Sequence, residues 1–131
     1  MQRWQLAACL ALLALGVLAC GLLREPPDPV IDGWPVGDKV DCNERPDCDV
    51  LLRLARGRLD QRDPAHSAVA RVTLYDEGTP TDPVSGDRIL LTRSGGAPSI
   101  AVFELEDGTV TAIGVGYPGI SREPMVFPEG P

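Results

Sequence analysis

The sequence predicts an α+β fold, one N-terminal helix packed on a small antiparallel sheet of three or four strands. Three observations carry it. Apolar residues recur at helical spacing after Cys48, a run near residue 70 alternates apolar and polar, and two β-forming runs flank Asp107-Gly108.

The helix is expected over residues 48–61. Val50, Leu51, Leu54, Ala55 and Leu59 form its apolar stripe, and Arg53, Arg56, Asp60 and Arg62 fall mostly on the opposite side. Pro46, Asp47 and Asp49 read as a start signal with Asp47 as N-cap, and Asp63-Pro64 as the stop. Gly57 costs up to about 1 kcal/mol in a helix interior, so a close approach to the sheet would explain it. Next comes a half-buried strand with Ala68, Ala70, Val72 and Leu74 on one face. Residues 88–93 are a second short apolar run. Residues 100–105 and 110–115 then form a tight hairpin. A two-residue loop at Asp107-Gly108 would set Leu105 opposite Val110, Phe103 opposite Ala112 and Ala101 opposite Gly114. The small residues would then leave room for the helix. The hairpin's other face is also apolar and needs a cover: the segment around Trp34, the tail from Tyr117 to Phe127, or a partner chain.

The whole chain has 131 residues, 19 acids, 12 bases and a formal charge of −7. That acidity disfavours nucleic acid, whose binding needs clustered Lys and Arg. The 44% apolar content is inflated by residues 6–23, a stretch without one charge. Behind Arg3, this stretch has the layout of an export signal. It ends in Val17-Leu18-Ala19-Cys20, which resembles the lipobox of bacterial lipoprotein precursors. The resemblance covers only about the first 20 residues. It implies cleavage before Cys20, a diacylglycerol on the Cys20 thiol, and lipid anchoring at the outer face of the cell membrane. A plain cleaved signal giving a secreted protein and an uncleaved N-terminal membrane anchor are the alternatives. No domain family is recognised in the mature part.

The chain accordingly divides into a signal at 1–19, a lipid-anchored Pro-rich linker at 20–41, a small domain at 42–117 and an extended Pro-rich tail at 118–131. Trp34, an aromatic in a polar linker, is expected to dock on the domain. Cys42 and Cys48 are the thiols left after Cys9 is removed and Cys20 acylated, and in an oxidising compartment they read as a disulfide. Metal binding is disfavoured, because the lone His66 cannot complete a tetrahedral site with two sulfurs.

Catalytic motifs are lacking. His66 reads as a loop histidine. Residues 76–87 collect four acids with Gly and Pro and read as a solvated connector rather than a cation loop. Residues 24–50 carry 8 acids and 3 bases, whereas residues 51–75 carry 2 acids and 5 bases. Pairing between these segments is the blander expectation, and an acidic partner or cell-wall polymer on the arginines the sharper one. No catalytic residues, metal or cofactor are expected, and binding residues are not identified. The reading is a non-catalytic binding or interaction module at the cell surface. A small hydrolase using carboxylates of residues 76–87 is one alternative, an accessory subunit of an envelope complex another.

Overall fold

The computed structural model describes residues 27–80, 82, 84–87 and 98–130. Cys20, the lipobox-like residues before it and the apolar run at 88–93 lie outside them. Among the described residues the architecture is one helix, α1 (Cys48–Arg62), on an antiparallel sheet of six strands in sequence order. These are β1 (Val30–Ile31), β2 (Trp34–Lys39), β3 (Val69–Glu77), β4 (Ser99–Leu105), β5 (Val110–Gly116) and β6 (Met125–Val126).

Six strands correct the expected three or four, and the extra ones come from segments read as linker and tail. The helix is not N-terminal to the sheet either, since β1 and β2 precede it. Asp32-Gly33 explains the first discrepancy. Both residues have positive φ, 50° and 80°, and Ile31 pairs directly with Trp34. A two-residue turn with both central residues left-handed matches the twist of paired strands. At the other end, Met125 and Val126 pair with Gly116 and Val115 despite the surrounding prolines.

Asp107-Gly108 closes differently. Only Gly108 has positive φ, 88°; its N–H bonds to Leu105 O at 3.0 Å, and Leu105 N–H to Thr109 O at 2.9 Å. The loop is therefore three residues long, and the register moves by one: Glu104 faces Val110, Phe103 faces Thr111 and Ala101 faces Ile113. A one-residue slip exchanges the two faces of β5 relative to β4. Ile113 and Val115, rather than Ala112 and Gly114, join Ala101, Phe103 and Leu105 under the helix residues Leu51, Ala55 and Leu59. The small residues admit Trp34 instead. A Cβ on Gly114 would stand 2.5 Å from the Trp34 ring.

A second core cluster thus covers the other sheet face. Trp34 and Val36 pack with Ile100, Val102 and Ala112, flanked by Ile31, Tyr75 and Phe127. The sheet curls far enough for β1 and β2 to reach β5. Trp34 is 2% exposed, so the expected docking occurs, and the chain's own N-terminal strands and tail supply the cover. Elsewhere, α1 begins at Cys48 as expected, with Asp47 at the N-cap position but without a side-chain capping bond. The Asp47 carboxylate turns to Arg45 instead, at 3.2 Å. Gly57 faces solvent with nothing near it, so close approach to the sheet is not its reason. Val50 is exposed too. No helix among the described residues is long and apolar enough to cross a membrane.

Candidate functional site

The site develops where β2 leaves the sheet. β2 pairs with only the C-terminal half of β3, through Val36 with Glu77 and Lys39 with Tyr75, and its last rung is Val40 N–H to Leu74 O at 2.9 Å. Beyond Val40 the chain turns away. Asp41 O accepts the N–H groups of Glu44 and Arg45, at 3.1 and 3.2 Å. Cys42 and Cys48 are joined by a disulfide with their Cα atoms 5.6 Å apart, which ties this loop to the first turn of α1. Arg45 anchors the loop to β4 by donating from Nη1 to Ser99 Oγ at 3.0 Å, while Nε and Nη2 hold Asp47. Those bonds keep the Asp47 carboxyl below the ordinary carboxylate range.

Because β2 departs, the N-terminal half of β3 has no neighbour on that side among the described residues. An open groove of about 580 Å³ fills the space. Val40, Leu52, Val72 and Leu74 are its apolar lining, and Lys39, Asp41 and Arg71 its charged lining. In an antiparallel ladder successive residues direct their main-chain groups to alternate sides. Leu74 O points to β2, so Val72, two residues earlier, turns its N–H and C=O toward the groove, past the last β2 rung. An extra residue in β3 between Val69 and Arg71 ends this free stretch, since the register to β4 shifts there. Arg71 pairs with Glu104 across the β3–β4 ladder, and that contact lowers the Glu104 pKa.

The other singled-out side chains serve the fold. His66 Nδ1 faces Ser67 O and Nε2 faces Asp60 Oδ1, both at 2.6 Å. Acceptors on both nitrogens favour the doubly protonated ring, so its pKa is raised, first by the Asp60 carboxylate and then by the Ser67 carbonyl. Of the acids at residues 76–87, Asp76 and Glu77 lie at the end of the nine-residue β3 far from His66, about 25–30 Å away along the strand. Asp82 caps a local turn, accepting from Val84 N–H at 2.8 Å. Among the described residues no group of three or more His, Cys, Asp or Glu could hold a metal ion.

Part of the charge asymmetry is absorbed internally. Arg62, in the last turn of α1, donates to Asp32 Oδ2 at 3.2 Å. The same oxygen accepts from Thr111 Oγ1 at 2.5 Å and from Ala112 N–H at 2.9 Å. Partial burial opposes the charge on Asp32, but the bonds from Thr111, Ala112 and Arg62 outweigh it and hold the carboxyl below its usual range. This knot binds the β1–β2 turn to β5 and α1. Arg56 pairs with Asp60 one turn along the helix, at 3.3 Å.

The groove residues are the ones sequence reasoning missed. Their signal was weak, because Lys39 and Val40 lie in a stretch that reads as linker until Asp32-Gly33 is recognised as a hairpin turn. The fold and groove define a one-helix, six-strand α+β domain with an open slot beside a half-paired strand. Compared with protein-family models, curated proteins and solved structures, the chain matches none.

Proposed function

We propose that this chain is an exported lipoprotein, tethered through lipid on Cys20 to the outer face of the bacterial membrane, whose domain is a non-catalytic binding module. The address rests on Val17-Leu18-Ala19-Cys20 behind an uncharged apolar run. A diacyl anchor contributes about 0.8 kcal/mol per buried methylene, so the acidic domain needs no basic patch for retention. The binding role rests on the groove beside β3, where apolar and charged lining groups and free main-chain groups converge.

Intact mass of the full protein extracted from membranes, beside Cys20→Ala, tests the tether. The expected wild-type mass is that of a chain starting at Cys20 plus lipid, and the variant is expected to lack that species. A wild-type mass equal to the unmodified precursor would refute the proposal.

A further inference from the structure

We propose that the groove receives an extended segment of a partner polypeptide, which adds as a short strand to the free half of β3 in the place β2 vacates. This deepens the binding reading above and rests on it. The warrant is the main chain. Strand addition draws its affinity from backbone hydrogen bonds and its selectivity from pockets for alternate side chains. Val72 offers one N–H and one C=O toward the groove, just beyond the Val40–Leu74 rung. An added strand would therefore extend the existing β2–β3 ladder.

Side chains define what such a strand looks like. Those pointing toward α1 would meet Val40, Leu52 and Val72, and are apolar. Those pointing the other way would pass Lys39, Arg71 and Thr73. Arg71 is already engaged by Glu104, so of the two lining cations Lys39 would meet an acidic residue at one alternate position, away from the Asp41 carboxylate that also lines the groove. The preferred occupant alternates apolar and polar residues and carries a carboxylate near one end.

A second copy of this chain fits poorly. Paired edge to edge across a two-fold axis at Val72, its own β3 would have to run past Val40 and the Cys42–Cys48 loop, which close that end of the slot. Its net negative charge would also repel an equal charge. A free segment that stops at Val40 meets neither obstacle.

The test uses the full lipidated chain in detergent micelles, with a random displayed library of about twelve-residue peptides as probe, long enough to span the slot. Enriched sequences are expected to alternate apolar and polar residues. A synthetic copy is expected to slow hydrogen exchange at the Val72 amide. N-methylation of the copy on its pairing edge is expected to weaken binding about tenfold or more, the equivalent of one or two hydrogen bonds. Val72→Pro, which removes the edge donor where proline is tolerated, is expected to do the same. Leu52→Glu, at a half-exposed helix position, supplies the same loss if Val72→Pro does not fold. Absence of enrichment, equal binding of the N-methylated copy, or Val72 protection through self-association without peptide would overturn the proposal. Those failures leave the intact-mass result standing, so anchoring and strand capture are judged separately.

Discussion

Gly114 and Trp34 show how a single atom sets the fold's second face. The indole occupies the space a Cβ would need, at 2.5 Å. Gly114→Ala is expected to lower stability by about 1–3 kcal/mol, the usual cost of overpacking, and to alter the near-UV signal of Trp34. Urea melts followed by tryptophan fluorescence check it. Sequence reasoning saw that residues 112 and 114 were small and that Trp34 would dock, but matched the gap to the helix rather than the indole. His66 carries a pH signature. Its pKa is raised in the folded state, so the stability from the charged His66–Asp60 pair is full below the unfolded value of 6.5 and is lost as pH rises through the folded value. His66→Gln is therefore expected to depress the melting temperature more at about pH 5.5 than at about pH 9. An equal effect at both would show that the pair's charge is irrelevant.

The elements differ in how openly the sequence declares them. α1 is legible almost to the residue, because a 3.6-residue apolar period and a Pro stop are local signals. Gly57 sits in this helix facing solvent with open space around it, so Gly57→Ala is expected to stabilise by about 0.5–1 kcal/mol, read as a rise in melting temperature. The Cys42–Cys48 bridge closes a short loop, and its reduction is expected to cost roughly 2 kcal/mol in denaturant melts and to add two hydrogen masses. The turns are less open. Asp-Gly occurs as a turn twice, and its two instances close hairpins differently: Asp32 adopts the left-handed conformation and Asp107 does not. Asp107 is held by local bonds, its Oδ1 accepting Thr109 N–H at 2.8 Å and its own N–H reaching Ser67 Oγ at 3.2 Å. Asp32 is instead drawn across to Thr111, Ala112 and Arg62. The dipeptide permits both geometries, and contacts distant in sequence choose between them.

At the scale of the whole molecule, the six strands wrap two cores around one sheet, one beneath α1 and one beneath Trp34 and Phe127. The second sheet face is covered by the chain itself, through Trp34, Val36 and Phe127. β3 sets His66 and the pair Asp76 and Glu77 at its opposite ends. Local and compositional properties were readable from the chain alone: acidity, the helix, the disulfide pair, and the strands β3, β4 and β5. Each depends on residues close together in sequence or on totals. Strand count, the β5 register, the cover over the second face and the groove required the folded chain. A two-residue strand such as Val30–Ile31 or Met125–Val126 has too few residues to show a period. It exists because a neighbouring strand supplies its hydrogen bonds. The groove exists for the converse reason, where β2 turns away at Val40 and leaves Val72 without that neighbour among the described residues.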